Sequence, residues 1–439
     1  MAEIRPFKGY RYKLAKKEDL GGLIAPPYDM LDDDKIGTLY DRNPLNAVRI
    51  DQNRREAGDS ANRDRHARAA LLFSGWVESG LVRADSEPSL YVYEQRFTAE
   101  RAGKTGSFER SGIVALVKLV DFAERVVFPH EYTLSGPKID RYEHLEATRL
   151  NVGQIFGLIS DDKGEIFPLI REMKKKCGTP AGTATDMDGV RHALYPCSDA
   201  ALIARLREAA RPDTILIADG HHRYETALKF HIDHKSLRGS AYVMMTLVSM
   251  ADPGLVIRSF HRCIRKGNPV GLSLDMKREL GKYFTLTDLG PAGPETVNSF
   301  LAGRTESEML FADSVSRRIF GLTLSKGGET FLASTMPEKS LTWKKLDMSK
   351  INVIVINRIL GLPLDGRVLH DIITYSQDAA AALKTCCNAQ EYWGGFFIRP
   401  VSIAEIHKIV QGGERMPQKS TNFYPKLYSG LVFNRLGNE

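Results

Sequence analysis

One stretch of fourteen residues restricts the fold more than any other part of the sequence. Residues 215–228 read ILIADGHHRYETAL, in which an almost wholly apolar run enters an acid–glycine turn and a helix begins within two residues. A short apolar run bounded by a turn is typical of a buried strand, and glycine permits the tight turn that follows. A strand that passes directly into a helix predicts an α/β fold.

Helical and strand patterns alternate along the whole chain of 439 residues. The helical spacing of apolar residues covers 59–80, 141–152 and 199–210. Strand-like runs cover 90–97 and 112–120, on either side of a glycine-rich hairpin at 102–106. We therefore predict an α/β chain with mixed sheets. We divide it into a core domain at 1–240 and a second α/β region at 241–439, which contributes a lysine-rich loop to the site.

The composition and the charge exclude several classes of protein. Apolar residues make up 43% and charged residues 26% of the chain, the ordinary balance of a globular protein. This balance excludes a disordered tail, a collagen-like fibre and a coiled-coil rod. The 61 basic and 54 acidic residues leave a net charge of +7. That excess fits a cleft for an anionic substrate as well as it fits nucleic acid.

The cysteines and the hydropathy predict the compartment. The five cysteines are odd in number and form no C-x-x-C pair, which favours neither a disulfide framework nor a thiolate zinc site. The first twenty residues lack the apolar segment of a secretory signal. Apolar runs also stay far short of the ~20 residues of a membrane helix. These features predict a soluble, cytoplasmic protein.

The turn at 219–223 combines groups that suit a phosphate. The helix after Gly220 directs unpaired N–H groups and the positive end of its dipole toward the turn. Arg223 adds a planar fork that binds two oxygens at once, and His221 and His222 add further donors. We interpret these five residues, Asp219 to Arg223, as a nucleotide-binding turn. The alternative is that Asp219 merely caps the helix.

This turn matches neither G-x-x-x-x-G-K-[ST] nor G-x-G-x-x-G. It resembles instead the strand–turn–helix box of the ParB/sulfiredoxin superfamily, through Gly220, His222, Arg223, Tyr224 and Ala227. Members of that superfamily include free-serine kinases, CTP-using partition proteins and sulfiredoxins. The resemblance implies a ParB/sulfiredoxin-like core and a site for nucleotide phosphates.

Two short clusters in the first third of the chain are candidates for catalysis. Asp29 follows two prolines in A-P-P-Y-D, and the stiff backbone of this loop suits a catalytic carboxylate. His130 and Glu131 follow an apolar run, and they suit a proton carrier and a general base or metal ligand. The alternatives are a rigid turn with a solvated aspartate, and a loop anchored by side-chain hydrogen bonds.

A third cluster lies near the C-terminus. Residues 416–430 place lysines and hydroxyl groups between aromatic residues. Lysine and hydroxyl groups suit phosphate, and aromatic faces suit a base. We expect nucleotide contacts from Lys419, Ser420, Thr421 and Lys426. The pair His261-Arg262 is a weaker candidate of the same kind.

The histidines near the turn do not predict a protein-held metal ion. His231 and His234 lie two to three helical turns beyond His221 and His222, and no H-E-x-x-H motif is present. Mg²⁺ that arrives with a nucleotide fits better, because it keeps its waters and shares phosphate oxygens. The predicted cofactor is therefore ATP or ADP with Mg²⁺, and no residue is assigned as a metal ligand.

Separate motifs together resemble the bacterial family of unknown function DUF1015. They are A-P-P-Y-D, P-H-E-x-T, A-D-G-H-H-R-Y-x-T-A, H-R and M-P-x-K-S-T-x-F-Y-P-K, and the resemblance extends from Arg5 to Val432. Family members often carry proline-threonine before the H-R pair, where this chain has Ser259 and Phe260. The family label carries no activity, and function is implied only through the similarity of residues 219–224 to the superfamily box.

The resulting hypothesis is an ATP- or ADP-dependent kinase that acts on a small hydroxyl substrate, with free L-serine as the first acceptor. Asp29 or Glu131 would accept the hydroxyl proton, and the lysines would neutralise the transferring group. The alternative is a ParB-like nucleotide-binding regulatory or DNA-associated module. No basic helix pair follows residue 235, and sulfiredoxin chemistry needs a cysteine where His221 stands. We predict a nucleotide and a small molecule as partners, and neither nucleic acid nor a membrane.

Overall fold

The computed structural model describes residues 1–13, 20–59, 62–101, 104–131, 136–267, 274–363 and 369–437. These residues form helices and several sheets, so the predicted mixed α/β fold class is confirmed. Among the described residues, no helix combines the length and the apolar composition that a membrane crossing requires.

The strands are numbered here in chain order. They are β1 (Ile4–Arg5), β2 (Tyr10–Tyr12), β3 (Val82–Ala84), β4 (Leu90–Arg101), β5 (Lys104–Lys118), β6 (Val127–Pro129), β7 (Leu150–Asn151), β8 (Ile155–Ile159), β9 (Gly182–Thr185), β10 (Arg191–Cys197), β11 (Ile215–Asp219), β12 (Tyr242–Ser249), β13 (Val256–Arg258), β14 (His261–Arg265), β15 (Phe284–Pro291), β16 (Met309–Asp313), β17 (Arg318–Leu324), β18 (Ile373–Ser376), β19 (Tyr392–Phe397), β20 (Asn422–Tyr424) and β21 (Asn434–Arg435).

The α-helices are numbered in the same way. They are α1 (Asp33–Arg42), α2 (Val48–Asp51), α3 (Asn62–Glu78), α4 (Gly136–Thr148), α5 (Ile166–Cys177), α6 (Ala200–Ala210), α7 (His221–Asp233), α8 (Met276–Leu280), α9 (Pro294–Leu301), α10 (Lys326–Thr335), α11 (Leu341–Lys345), α12 (Asp347–Lys350), α13 (Leu369–Ile372), α14 (Ala379–Cys386) and α15 (Ile403–Gln411). A π-helix follows α12 at Ile351–Ile359, and short 3-10 turns lie at Leu20–Gly22, Tyr28–Met30 and Phe122–Glu124.

The larger sheet carries the turn that the sequence singles out. Its strand order is β6-β11-β8-β12-β5-β4-β10-β9, with β1 also paired to β5. The pairs β6–β11 and β8–β12 are parallel and the others are antiparallel. β4 and β5 form the predicted hairpin, with Arg101 opposite Lys104; residues 102–103 lie outside the described residues.

Strand β11 is apolar because both faces of the sheet are covered. Ile215 and Ile217 point into one core together with residues of α5, α6 and α7. Leu216 and Ala218 point into the other core, on the opposite face. Alternate side chains of a strand lie on opposite faces, so a strand covered on both sides is apolar at nearly every position.

The smaller sheet lies in the second half of the chain. Its strand order is β15-β17-β16-β19-β14-β18, and all of its pairs are antiparallel. The predicted division at residue 240 stays a prediction. The larger sheet continues past it, because β12 pairs with β5 and β8.

A two-stranded ribbon joins the two halves. β13 leads from the larger sheet toward β14 of the smaller one, and it pairs antiparallel with β20 near the C-terminus. Within this ribbon Val256 lies opposite Tyr424 and Arg258 lies opposite Asn422. The chain beyond α15 therefore returns to the N-terminal half and brings Lys426 to the end of β11.

Candidate functional site

The backbone at Gly220 makes the strand-to-helix turn. Gly220 has φ 91° and ψ 30°, a left-handed conformation that favours glycine. A Cβ atom at this position would lie 2.9 Å from Nε of Arg223. In the described part of the chain no side chain caps α7. The alternative interpretation of Asp219 as a helix cap is therefore wrong, and the carboxylate binds elsewhere.

Asp219 binds two cations from different parts of the chain. Nζ of Lys426 donates to one carboxylate oxygen at 2.5 Å, and Nη2 of Arg223 donates to the other at 2.8 Å. Burial opposes ionisation of Asp219, but the charges of Lys426 and Arg223 outweigh it and lower its pKa to about 2. Asp219 thus stays ionised and holds both cations in place.

Asp29 lies beside this ion cluster. It belongs to the short 3-10 turn Tyr28–Met30, directly after Pro27. The ring of Tyr28 lies 4.4 Å from the guanidinium of Arg141 and 5.9 Å from that of Arg223. The Asp29 side chain is still open to solvent. Reduced hydration in the cleft, followed by the charge of Asp219, raises the pKa of Asp29, while Arg223 and Lys426 oppose the rise.

Lys426 is positioned by two residues that sequence reasoning missed. Nε2 of Gln95 donates to the carbonyl oxygen of Lys426 at 2.9 Å, and Nη1 of Arg110 donates to that of Tyr424 at 3.0 Å. Gln95 and Arg110 lie opposite each other on β4 and β5, and both are only 1% exposed. Arg110 lies in the polar first half of β5, between Glu109 and Ser111, so no local pattern in the sequence marked it as buried.

His130 and Glu131 anchor the C-terminal loop. Nδ1 of His130 lies 2.6 Å from the carbonyl oxygen of Ile217, so it donates to that oxygen, and Nε2 lies 2.8 Å from the hydroxyl oxygen of Thr421. Glu131 accepts from the backbone N–H of Ser420 at 3.1 Å. Burial opposes the ionisation of Glu131, but the neighbouring His130 leads the groups that lower its pKa to about 2. A catalytic role for either residue stays a prediction.

The two histidines of the turn are uncharged near neutral pH. Burial, followed by the neighbouring His130, lowers the pKa of His221 to about 3. Nε2 of His221 accepts from the backbone N–H of His130 at 3.3 Å. Burial and then the charge of Lys138 lower the pKa of His222. His221 and His222 can therefore offer hydrogen bonds to a ligand but little positive charge.

Lys419 lies apart from the cluster around Asp219. It is exposed, and its Nζ lies 5.6 Å from the ring centroid of Phe260. Its carbonyl oxygen accepts from Nη2 of the buried Arg262 at 3.1 Å. The structure thus brings Asp29, Asp219, Arg223 and Lys426 together, and places Lys419 on the side of the smaller sheet.

Carboxylates, histidines and thiols do not gather into a metal cage. Within the described ranges, no group of three or more histidine, cysteine, aspartate or glutamate residues could hold a metal ion. Tyr132 and Thr133, which belong to the P-H-E-x-T motif, lie outside those ranges.

Comparison with known proteins places the chain in a family. The sequence profile of the family described as "Protein of unknown function (DUF1015)" matches residues 4–349. The chain belongs to this family. No curated protein matches the chain significantly. The match confirms the DUF1015 resemblance over residues 4–349, and the C-terminal motif at 416–426 lies outside the matched range.

Several solved structures are similar to the chain at low TM-scores. A conserved hypothetical protein from Pyrococcus furiosus is 12% identical, with 73% of this chain and 94% of that chain covered and a TM-score of 0.35. A mutant of a free serine kinase in complex with AMP is 10% identical, with 73% and 91% covered and a TM-score of 0.37. C-terminally truncated SbnI from Staphylococcus aureus is 10% identical, with 73% and 86% covered and a TM-score of 0.36.

Proposed function

We propose that this protein is a nucleotide-dependent phosphotransferase that acts on a hydroxyl group of a small molecule, with free L-serine as the first acceptor to test. One observation carries the proposal. Asp29, Asp219, Arg223 and Lys426 come from three distant segments and meet at a helix N-terminus that no described side chain caps. The ParB/sulfiredoxin-like interpretation of the turn is part of this proposal.

The positive side of the cluster suits nucleotide phosphates. Nη1 of Arg223 donates to the carbonyl oxygen of Gln154 at 2.5 Å, and Nη2 donates to Asp219, so the guanidinium is held in one position. Its Nε has no partner among the described residues. Phosphoryl transfer depends mainly on positioning and electrostatics, and a fixed arginine with Lys426 and the N–H groups of α7 supplies both.

The carboxylates suit Mg²⁺ that enters with the nucleotide. Mg²⁺ prefers oxygen ligands and is commonly bound by one or two carboxylates together with substrate phosphates. Asp29 and Asp219 offer such oxygens at the cluster. When bound, the ion would neutralise phosphate charge.

Asp29 suits the role of general base. It is open to solvent beside the cations, and its pKa is raised above the ordinary value. A carboxylate whose pKa moves toward neutrality accepts a proton more readily. In the proposed step the acceptor oxygen forms a bond to the terminal phosphorus, the bond to the leaving nucleoside phosphate breaks, and the hydroxyl proton passes to Asp29.

The test combines nucleotide binding with product detection. Isothermal titration with ADP and ATP in the presence of Mg²⁺ measures binding, and phosphorus NMR detects phosphoserine after addition of L-serine. We expect Lys426→Met to weaken nucleotide binding at least tenfold, because it removes a cation from the cluster, while Lys408→Met on the exposed face of α15 leaves it unchanged.

Two results would count against the proposal in different ways. Absence of binding by either nucleotide contradicts it entirely. Nucleotide binding without phosphate transfer to serine or to other small hydroxyl compounds supports the regulatory module instead.

A further inference from the structure

A cleft lies between the β13–β20 ribbon and the smaller-sheet half of the chain, outside the candidate site. It encloses about 840 Å³, within the range of small-molecule sites. One wall is formed by β13 of the ribbon and the residues that follow it, and the opposite wall by the beginnings of α14 and α15. The proposed phosphotransferase function does not use this cleft.

Buried polar groups in the wall lack partners. The hydroxyl of Ser259 and Nδ1 of His261 have no hydrogen-bond partner among the described residues, and these residues are 6% and 3% exposed. Both residues form part of the cleft wall. An unpaired buried polar group destabilises the fold, and a serine hydroxyl rotates to meet a partner. A ligand in the cleft can therefore supply what the protein leaves unpaired.

A cation stands next to these groups. The guanidinium carbon of Arg258 lies over the ring of Tyr424, 3.3 Å from its centroid, and Arg258 also lines the cleft. Stacking on an aromatic ring leaves the edge of a guanidinium open to an oxyanion. The nearby carboxylate of Asp378 accepts from the N–H groups of Ala380 and Ala381, so the helix partly neutralises its charge.

The rest of the wall combines apolar residues with the polar Glu100, Arg101, Asn298, Gln377 and Ser402. We name as the apolar wall the residues Leu255, Ile257, Leu301, Val401 and Ile403. Leu255 and Ile257 of the apolar wall precede Arg258 and Ser259 in the chain. A ligand that reaches the polar groups therefore also contacts the apolar wall. Recognition here needs a charged head and an apolar body in one molecule.

We propose that this cleft binds a small organic anion with an apolar body. The carboxylate or phosphate head bonds Arg258 and Ser259, and the body lies against the apolar wall. The site is separate from the nucleotide cluster but shares the β13–β20 ribbon with it, since Arg258 stacks on Tyr424 and Arg110 binds the Tyr424 carbonyl.

Titration of the full chain with three six-carbon probes tests the proposal. We expect hexanoate or hexyl phosphate to bind, and the neutral hexanol to bind at least tenfold more weakly. The tighter of the two anions identifies the head group. Failure of both anions to bind, or equal binding of hexanol, overturns the proposal.

Variants then locate the binding. We expect Arg258→Met to weaken binding of the anion at least tenfold, while Arg42→Met at the end of α1 does not change it. Ser259→Ala, a smaller change, should weaken it as well. If Lys426→Met abolishes binding of hexyl phosphate and Arg258→Met does not, the anion occupies the nucleotide cluster and the second site is disproved.

Discussion

The candidate site and the cleft between the sheets are built on opposite principles. In the site the charges are satisfied by each other, since Asp219 holds both Lys426 and Arg223. In the cleft Ser259 and His261 are buried, and each has a polar atom with no hydrogen-bond partner in the part of the chain that the structure describes. A cluster that is paired in this way is stable and preorganised before a ligand arrives. A wall with unpaired groups gains its missing hydrogen bonds only from what enters the cleft.

The two regions are neighbours in spite of this difference. The ribbon formed by β13 and β20 separates them, with Arg258 opposite Asn422. On the side of the site, Phe423 packs against His130 at a centroid distance of 5.9 Å. The β13–β20 ribbon thus contacts both the candidate site and the cleft. Variants on each side of the ribbon test the two regions separately.

The largest expected effect concerns the solvent-accessible carboxylate of the site. On the proposed function, Asp29→Asn removes the base and lowers kcat by about 10³-fold, without weakening the binding of ADP measured in the absence of Mg²⁺. Steady-state kinetics and titration with ADP measure the two quantities. Asp41→Asn, an exposed aspartate in α1, is the control and should leave kcat unchanged. A small loss of kcat in Asp29→Asn would transfer the role of base to another residue.

The next effect concerns pairing in the site. Asp219→Asn leaves Lys426 and Arg223 without their anion, and we expect the free energy of unfolding to fall by about 3 kcal/mol. Urea denaturation measures the change. The matched control is Asp233→Asn, which breaks the surface pair with Lys229 in the same helix and should cost less than about 1 kcal/mol. A similar loss of unfolding free energy in both variants would contradict the conclusion that Asp219 stabilises the site by pairing with Lys426 and Arg223.

Acidification should affect one histidine in each region to a similar extent. Folding lowers the pKa of His221 from the ordinary 6.5 to about 3, with burial and then His130 as causes, and that of His261 to about 4, with burial and then Arg262 as causes. Between the folded-state pKa values and 6.5 the unfolded chain binds more protons than the folded chain does. The free energy of unfolding therefore rises with pH in this range, and part of it is lost as the pH falls from 7 to 5. Each histidine contributes about 2 kcal/mol to that loss.

Urea denaturation at pH 7 and pH 5 checks this expectation. His221→Asn and His261→Asn should each reduce the difference in unfolding free energy between the two pH values. An unchanged difference in either variant would show that the histidine in question titrates normally in the folded protein.

The smallest effect contrasts two buried serines. Ser259→Ala removes an unpaired hydroxyl and should raise the free energy of unfolding by up to about 1 kcal/mol in the absence of ligand. Ser249→Ala should lower it by about 1 to 3 kcal/mol, because the Ser249 hydroxyl donates to Asp161 at 2.7 Å and accepts from the Ala251 N–H. Thermal unfolding measures both. Loss of stability in Ser259→Ala would mean that its hydroxyl has a partner.

The strand-to-helix turn could be predicted because all of its causes are local. The apolar run, the aspartate–glycine pair and the helical pattern lie within fourteen residues, and the observed elements are β11 and α7. The hairpin of β4 and β5 was predictable for the same reason. Family membership was predictable from separate motifs, and the profile match over residues 4–349 confirms it.

The partners of Asp219 could not be predicted in this way. Lys426 lies 207 positions along the chain from Asp219, and no local pattern shows which residues a folded sheet brings together. The same limit applies to Arg110 and Gln95, whose function in holding the C-terminal loop depends on the pairing of β4 with β5 and on the return of the chain after α15.

By itself the sequence determined the conformations that depend on neighbouring residues: the apolar strand, the left-handed glycine and the helix that begins after it. Only the tertiary structure decided that Asp219 binds two cations instead of capping the helix, and that the Ser259 hydroxyl and Nδ1 of His261 are buried with no hydrogen-bond partner among the described residues. The physical reason is that backbone preferences act over a few residues, whereas ion pairs and burial depend on segments that meet only when the chain has folded.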